Sequence, residues 1–318
     1  MFRIKTPAPI VKLLLSIIIL TVFAYFLWWL WQRQPKPKTA QNPTVASSEA
    51  KVTKENNSQE SIVAKPQDNS ALAAKVTSFE GTTDPEFQVL IFSNGFQEVT
   101  KANSDGKFQK EITLSAGLNL VDVIIVNKDF TEGAKQTLTL WVLDEKSKGE
   151  KDAKFVYAGS VKSIFENIIT ISNSNGDKTI RSTESTIFDL PKNPDSREKE
   201  SSQSAQSVRV GDYLIALSNQ NGNDTATAKK IIIIRDDKPQ NNKKIILAKI
   251  LTGVRQNLFS VKNEKDGKII ELTQDKNSKI SKNGQKASET EIVKEKRAII
   301  LYHSLNNEKI ADLVYLTL

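Results

Sequence analysis

Hydrophobic and polar positions divide the chain into three stretches of different texture. Residues 13–31 form an apolar run without a charge, long enough for a helix that crosses a bilayer core of about 30 Å. Residues 32–71 are rich in Pro, Ser, Asn, Gln, Lys and Glu and have too few apolar residues to bury a face, which predicts a disordered linker. From residue 72 onward, short apolar alternations are separated by Gly, Asn and Asp turns, which predicts β-strands throughout.

The first β-rich stretch, residues 72–143, predicts a small β-sandwich of six or seven strands. A predicted strand over residues 86–92 is followed by Asn94-Gly95, a dipeptide typical of hairpin turns with positive φ at both central residues. Residues 118–126 are apolar on both faces, as expected of a central strand that is covered on both sides.

Three segments of this stretch resemble the bacterial immunoglobulin-like domains that occur in arrays on cell-surface proteins. They are residues 79–85 (FEGTTDP), 104–108 (SDGKF) and 114–119 (LSAGLN). The resemblance covers residues 72–143 and implies a sandwich that acts as a spacer, an adhesin or a carbohydrate binder. Glu86 stands where the family often has Gly, so a different turn geometry is expected there.

The second half of the chain contains an internal repeat. Residues 159–176 and 249–267 share five apolar positions, and Asn167 matches Asn257. The matched apolar pairs are Val161 with Leu251, Ile164 with Val254, Ile168 with Leu258, Ile169 with Phe259, and Ile171 with Val261. Two copies of about 80 residues are therefore predicted, at 155–236 and 244–318, each a small β-barrel because short strands close on themselves to remove exposed edges.

Both copies resemble small β modules of uncharacterised function in bacterial envelope proteins, in which a Val-Gly-Asp turn precedes the penultimate strand. The first copy has this turn as Val210-Gly211-Asp212. The second copy has Glu295-Lys296-Arg297 at that point, so the turn is expected to be lost there. Residues 191–207 predict a surface loop inserted in the first copy.

Composition excludes several kinds of chemistry. The chain has no cysteine and one histidine, His303, so a disulfide framework, a thiolate metal site and a multi-histidine metal site are excluded. Neither a Gly-rich dinucleotide motif nor a phosphate-binding P-loop occurs. The formal charge of +8 is unevenly spread, with −3 on residues 72–143 and +5 on residues 244–318. No catalytic, cofactor-binding or metal-ligating residue is assigned, and no cofactor is expected.

Two Asn-rich turns and the histidine are the remaining candidates for a site. Residues 173–177 (NSNGD) and 221–224 (NGND) offer clustered oxygens for calcium, but they lack the regular acid spacing of a calcium loop. Hairpin turns need the same residue types for backbone reasons, and this interpretation is favoured. His303 lies in a predicted strand without an acid or nucleophile nearby in sequence, which favours a packing role.

The basic C-terminal copy raises nucleic acid as a partner. Binding of that kind needs a positive groove with stacking aromatics, whereas the lysines here fall in turns and aromatics are few. The lysines are residues 262, 265, 268, 276, 279, 282 and 286, and the aromatics are Phe259, Tyr302 and Tyr315. The sequence therefore argues against nucleic acid and favours a solvated surface or one that faces an anionic envelope polymer.

The apolar N-terminal run is interpreted as a retained membrane anchor. Trp28, Trp29 and Trp31 crowd one end of it, as expected at a bilayer interface. Signal cleavage after Ala24 is the alternative, but it would leave an exposed apolar N-terminus. Basic residues stand on both sides of residues 10–31, so charge alone leaves the orientation open.

These patterns predict an all-β protein with an N-terminal transmembrane helix, an Ig-like β-sandwich and two tandem small β-barrels. The parts are a cytoplasmic N-terminus (1–9), the anchor (10–31), the linker (32–71), the sandwich (72–143) and the two barrels (155–236 and 244–318). The expected function is a single-pass, extracytoplasmic, non-enzymatic scaffold, stalk or binding module, with an envelope polymer or surface protein as partner. The alternatives are an envelope sensor or assembly factor that acts through its helix, and an enzyme with an unrecognised carboxylate site.

Overall fold

The computed structural model describes residues 62–144, 146–147, 149–191, 207–222, 225–235 and 238–317. The predicted anchor at 10–31, the predicted N-terminus at 1–9 and the core of the predicted loop at 191–207 lie outside the described residues. Within them the protein is all-β, and its helical content is limited to 3-10 turns such as that at Glu289–Glu291. The described strands form a two-sheet region followed by two barrels.

The two-sheet region contains eight strands. They are β1 (Val63–Lys65), β2 (Ser70–Leu72), β3 (Val76–Thr82), β4 (Gln88–Phe92), β5 (Gln97–Lys101), β6 (Lys107–Thr113), β7 (Gly117–Val126) and β8 (Glu132–Val142). One sheet has the order β1-β3-β6, and the other contains β2-β8-β7-β4-β5. Phe79 and Phe108 from the first sheet meet Ile91, Val123 and Leu140 from the second in one buried core.

Strands β1 and β2 lie inside the stretch predicted as linker, so ordered structure begins before residue 72. Val63 is 3% exposed in the sandwich core, and its backbone N–H donates to Gln136 Oε1 at 3.0 Å. Asp68 accepts a hydrogen bond from the backbone N–H of Thr139 at 2.8 Å. Long-range partners hold these two strands in place. The segment itself contains too few apolar residues for the sequence to predict them.

The turn at Asn94-Gly95 joins β4 to β5 as predicted, but the expected positive φ was wrong. Neither residue lies among those with positive φ. Asn94 is held by a tertiary contact instead: its Nδ2 donates to the Gln240 carbonyl at 2.6 Å, and its Oδ1 accepts from the Asn242 N–H at 2.9 Å. The turn is therefore fixed by the segment that leads into the second barrel.

The first barrel is built from seven short strands. They are β9 (Phe155–Phe165), β10 (Ile168–Asn173), β11 (Gly176–Arg181), β12 (Ile187–Asp189), β13 (Tyr213–Ser218), β14 (Thr225–Thr227) and β15 (Lys230–Ile234). β9 pairs with β10 and β13, and β10 pairs with β11. The ring is completed by the parallel pairs β11–β14 and β12–β15 and the antiparallel pair β13–β15.

The second barrel has the same order of strands in its ring, but two of its strands are continuous where the first barrel has two shorter strands. Its strands are β16 (Lys244–Ile250), β17 (Leu258–Asn263), β18 (Ile269–Lys282), β19 (Gln285–Lys286), β20 (Arg297–Leu305) and β21 (Glu308–Leu316). The order β16-β17-β18-β21-β20 closes back on β16, and β18 runs parallel to β21. Strand β18 corresponds to β11 plus β12, and β21 corresponds to β14 plus β15. The repeat seen in the sequence is thus also a repeat of strand pairing.

The turn before the fourth strand is kept in both barrels, so the expected loss in the second copy was wrong. Gly211 has φ of 93°, and Glu295 has φ of 75° at the matching position. The Gly211 N–H donates to the Val161 carbonyl and the Glu295 N–H to the Ile250 carbonyl, both at 2.9 Å. A non-glycine residue at positive φ is strained, so the hydrogen bonds of the barrel impose this geometry although the glycine is absent.

The second barrel docks on the outer face of the two-sheet region through an apolar interface. Along β4, alternate residues divide between two cores: Val89 and Ile91 face the sandwich, whereas Leu90 and Phe92 face the barrel. Along β20, Ile300 lies in the barrel core and Ile299 in the interface. The other interface residues include Ile124, Val126, Phe130, Leu247, Leu301, Leu313 and Tyr315. The strands read as continuous apolar runs because both of their faces are covered.

The first barrel is joined to the two-sheet region by a shared sheet as well as by side chains. Strand β2 pairs with β8 on one side and with β9 on the other, so one sheet of 12 strands runs through both regions. Beside this seam, Trp141 packs with Tyr213, Ile215 and Leu217, the outward residues of β13.

A buried ion pair lies in the connector at this seam. Glu150 Oε1 is 2.9 Å from Lys230 Nζ, and the two side chains are 4% and 7% exposed. Trp141 Nε1 donates to Glu150 Oε2 at 3.0 Å. Burial alone raises the pKa of Glu150, but hydrogen bonds from the Asp144 N–H, Ser147, Lys230 and Trp141 together outweigh burial and lower it.

Candidate functional site

Docking leaves the same outer face free on both barrels. Each barrel packs on the two-sheet region with its first, fourth and fifth strands, so the outward side chains of the second strand and of the part of the third strand paired with it are not used in the two apolar interfaces. A five-stranded ring in this order, with parallel third and fifth strands, has the topology of the OB-fold, which binds oligosaccharides and oligonucleotides on its second and third strands. These two faces are the candidate functional site.

On the first barrel, the free face also includes the end of β9 that pairs with β10, and it has an apolar row and a hydroxyl row. Cross-strand pairing places Phe165 beside Ile168 and Ile168 beside Arg181, and Phe165 is 71% exposed. The next row out is formed by Ser163, Thr170 and Thr179. The residues between these rows, including Ile169 and Ile180, point into the barrel core. Hydroxyls beside exposed apolar side chains form a surface that can hydrogen-bond a ligand and also cover an apolar face of it.

On the second barrel, the free face repeats this mixture with more charge. Leu258 lies beside Thr273, Ser260 beside Glu271, and Lys262 beside Ile269. Leu258 is 49% exposed and Ile269 is 67% exposed. Sequence analysis missed Phe165, Leu258 and Ile269 as surface residues, because apolar positions in a strand are read as core until the strand pairing is known.

The structure brings the two Asn-rich turns together around one small polar pocket. Asn173, Asn175 and Asp177 from one turn and Asn221 from the other line a space of ≈ 240 Å³, together with Asp68. Residues 223 and 224 of the second turn lie outside the described residues.

Asp68 connects the two sides of this pocket by hydrogen bonds. Its carboxylate accepts hydrogen bonds from the backbone N–H groups of Thr139 and Asn69, both at 2.8 Å, and from Asn175 Nδ2 at 3.0 Å. Burial nevertheless raises the pKa of Asp68, since it outweighs these bonds. Within the described residues, no group of three or more His, Asp or Glu side chains could hold a metal ion. The arrangement ties the first barrel to the two-sheet region.

His303 has an acidic partner that its sequence neighbourhood did not reveal. Its Nδ1 is 3.0 Å from Asp312 Oδ2 in the adjacent strand β21. Lys243 Nζ lies 3.9 Å from the other oxygen of Asp312 and hydrogen-bonds Gln97. Burial lowers the pKa of Lys243, and the charge of Asp312 partly offsets this effect. These groups cross the interface between the two-sheet region and the second barrel, so they join the two parts.

The aromatic residues considered for base stacking are buried. Phe259, Tyr302 and Tyr315 are 2%, 8% and 4% exposed, so their rings are covered by the barrel core or the interface. Several of the lysines have acidic partners: Lys268 with Asp266, Lys279 with Glu98, and Lys282 with Glu291. The second barrel therefore lacks exposed rings at the positions that a stacking platform would need.

No described helix is both long and apolar enough to span a bilayer.

Comparison with known proteins gives no family. No protein-family model matches the chain, and no curated protein matches it. Among solved structures, it is similar to Drosophila Unr CSD456, with 12% identity, a TM-score of 0.21, and coverage of 73% of this chain and 96% of that chain. It is also similar to a structure concerning host cell surface retention of a 1.5-MDa bacterial ice-binding adhesin, with 10% identity, a TM-score of 0.20, and coverage of 79% and 95%. TM-scores of this size do not establish a shared fold.

Proposed function

We propose that this chain is a membrane-anchored, extracytoplasmic, non-catalytic scaffold and binding protein of a cell envelope. In this proposal residues 10–31 form a single membrane-spanning anchor, with residues 1–9 in the cytoplasm and a linker outside. An immunoglobulin-like sandwich then carries the two barrels. The partner is an envelope polymer or surface protein, and nucleic acid is not the partner.

The observation that supports a binding role is the repeated free face. Both barrels dock through the same three strands, and both keep available the second strand and the part of the third strand paired with it. Two similar faces on one rigid support favour a ligand with repeating units, because a second contact on the same polymer becomes intramolecular.

The composition of the faces supports a hydroxyl-rich polymer. Ser163, Thr170 and Thr179 offer donors and acceptors, while Phe165 and Ile168 offer an apolar surface for the ring face of a sugar. The analogy with OB-folds is one of topology, so it adds an expectation about where a ligand binds and none about which ligand it is.

Location is tested by protease treatment of intact cells that make the full-length protein with a tag after Leu318. Removal of the tag from sealed cells is expected. Protection of the tag until the membrane is breached would remove the surface location, and fractionation would then separate a periplasmic from a cytoplasmic placement. A cytoplasmic result would contradict the proposal.

Binding is tested by sedimenting the full-length protein with purified envelope polysaccharide. Phe165→Ser with Ile269→Ser is expected to weaken binding by about tenfold or more, since each change removes an exposed apolar contact. Val76→Ser is the matched control, because Val76 is 55% exposed on strand β3 and lies on neither face. Equal loss in the control, or no loss in the double variant, would remove these faces from the binding role.

A further inference from the structure

A cleft of ≈ 630 Å³ separates the edge of the two-sheet region from the far end of strand β18. One wall contains Gln97, Glu98 and Val99 of β5 and Lys110 of β6, and the other contains residues 274–281 and the hairpin that follows. None of the outward residues of the free face on the second barrel lines it. The cleft is therefore a different site from the one proposed for a polymer.

The outer edge of strand β5 borders this cleft at Gln97, Glu98 and Val99, although the Gln97 side chain lies in the interface, where its Nε2 donates to the Asp312 carbonyl. Strand β5 is the last strand of its sheet, and it pairs regularly with β4 along all five residues. Ser93 N–H donates to the Phe96 carbonyl, which sets the alternation of hydrogen bonds along the pair. The backbone groups of Glu98 and Thr100 then point to β4, and those of Gln97 and Val99 point away from it. An edge of this kind is the template on which another strand adds.

Gln274 supplies an independent sign that the cleft is incomplete. Its side chain is 7% exposed and lines the cleft, and its Nε2 has no hydrogen-bond partner among the described residues. Buried amide donors are almost always paired, because an unpaired one keeps the cost of its lost hydration. This donor is shielded from solvent, so a ligand in the cleft that carries a carbonyl or carboxylate oxygen would complete the hydrogen bond once the Gln274 amide turns toward it.

Charge and ring exposure indicate which ligand fits. Lys276 and Lys286 line the cleft without an ion pair among the described residues, while Lys110 and Lys279 flank Glu98 at 3.2 and 3.3 Å. Asp275 and Glu289 also line it, so the excess of positive charge is small. The one aromatic ring in the lining, that of Tyr315, is 4% exposed and offers no face for a sugar.

We propose that this cleft binds an extended segment of a partner protein, in which apolar and acidic residues alternate, as an additional strand on β5. The segment hydrogen-bonds the outward backbone groups of β5, chiefly those of Val99, because Gln97 is only 8% exposed. Its apolar side chains face Val99 and Ile280, and its acidic side chains face the lysines. Strand β5 has five residues and spans about 17 Å, and its first three residues line the cleft.

The test measures binding of the full-length protein, in mild detergent, to an array of fluorescent heptapeptides. In each peptide Val, Ile, Phe or Thr alternates with Glu, Asp, Lys or Ser. Binding is expected for the acidic sets, and methylation of alternate backbone nitrogens in one register is expected to abolish it. Methylation removes N–H donors and keeps the side chains, so it separates strand addition from side-chain binding.

Two variants locate the bound peptide. Val99→Pro removes an outward N–H of the β5 edge without breaking a bond to β4, and it is expected to weaken binding at least tenfold. Val99→Ala is its matched control, because Val99 packs against the apolar interface and both changes lose that packing while only the first loses the N–H. Gln274→Met fills the same space without the unpaired donor, and it is expected to weaken binding a few-fold while the melting temperature stays equal or rises. The Phe165→Ser, Ile269→Ser double variant serves as the matched control and should bind peptide normally.

Several results would overturn the proposal. They are no binding by any peptide set, binding that tolerates methylation in both registers, or binding unchanged in Val99→Pro. Displacement of the peptide by an envelope oligosaccharide would assign the cleft to a glycan instead. Since polymer binding is read out on Phe165 and Ile269 and peptide binding on Val99 and Gln274, failure of either proposal leaves the other intact.

Discussion

The two barrels use equivalent faces to dock on the two-sheet region, but the bonds that hold them differ. The first barrel shares a hydrogen-bonded sheet with it through β2 and encloses the Glu150–Lys230 pair at the seam. The second is held by apolar side chains and by the polar group of Lys243, Gln97 and Asp312.

This difference shows how one repeat can be attached twice. The apolar outer face of the fourth and fifth strands was kept in both copies, with Ile215 in one and Ile299 in the other. Backbone hydrogen bonds tolerate changes of side chain, whereas an interface of side chains alone depends on shape. We therefore expect the two attachments to respond differently to mutation and to pH.

The largest expected effect is at the seam of the first barrel. Glu150→Ala leaves the Lys230 ammonium buried without its main partner and removes the acceptor of Trp141 Nε1. Removal of one member of a buried ion pair costs about 3–5 kcal/mol of unfolding free energy. Urea denaturation followed by tryptophan fluorescence measures this loss.

Asp152→Ala is the matched control, because Asp152 is 74% exposed and lies 4.0 Å from Lys229. It should leave stability unchanged, as exposed pairs contribute little. Replacing both Glu150 and Lys230 with Met should recover much of the loss. If Glu150→Ala behaves like the control, the buried pair does not hold the seam.

The second effect compares equivalent residues at the two interfaces. Ile215→Ala and Ile299→Ala each delete a buried side chain, and each is expected to cost about 2–4 kcal/mol. After Ile299→Ala, the second barrel should open separately, since no described strand pairing holds it to the two-sheet region. After Ile215→Ala, the shared sheet should keep unfolding cooperative.

Hydrogen exchange measured by mass spectrometry separates these outcomes. Early exchange of β4 and β20 is expected in Ile299→Ala, and no early exchange of β9 is expected in Ile215→Ala. Ile300→Ala is a useful control, because Ile300 belongs to the barrel core and its loss should destabilise the barrel as a whole. Identical exchange patterns in the two interface variants would refute the distinction between the attachments.

The smallest effect is a difference in pH dependence. The pKa of Glu150 is lowered in the folded state, so its stabilisation is present above its ordinary pKa of 4.5 and is lost as the pH falls through the lowered value. The pKa of Lys243 is lowered by burial. The unfolded state therefore binds this proton more tightly, and stability rises with pH up to the ordinary pKa of 10.5.

Melting temperatures across the pH range test this contrast. The difference in melting temperature between the wild type and Lys243→Met should change in alkaline solution and stay constant in acid. The buried tyrosines, whose pKa values burial raises, contribute equally to both proteins and cancel in this difference. Glu150→Gln should lose part of the acid sensitivity and keep the alkaline behaviour of the wild type. If the melting temperatures of the wild type and of Lys243→Met depend on pH in the same way, the pKa of Lys243 is not lowered in the folded state.

The sequence predicted individual strands correctly where the apolar or polar character of each residue reflects the burial of that residue. The run at residues 118–126 predicted a strand with two covered faces, and β7 is one. The sequence did not reveal what covers the second face, because the partner residues lie more than 100 positions away. The repeat was detected for the same reason as the strands, since its apolar spacing is local.

The failures came from positions that long-range hydrogen bonds control. β1 and β2 are held by β3, β8 and β9, and Glu295 takes the conformation of a glycine because its N–H must reach Ile250. Gln274 reads as an ordinary polar strand residue until its burial is known. The candidate faces were missed likewise, because which strands remain free depends on docking.

The apolar face shared by the two-sheet region and the second barrel stays uncovered for part of the time that the chain is being synthesised. When residue 143 has been made, Leu90, Phe92, Ile124 and Val126 already form an apolar outer face, but their covering strands in the second barrel end at Leu316. At about 5–20 residues per second, that interval lasts roughly ten to thirty-five seconds. A nascent chain therefore exposes an apolar surface for longer than a small β domain usually needs to fold. The yield of folded protein should then depend on chaperones and on the translation rate.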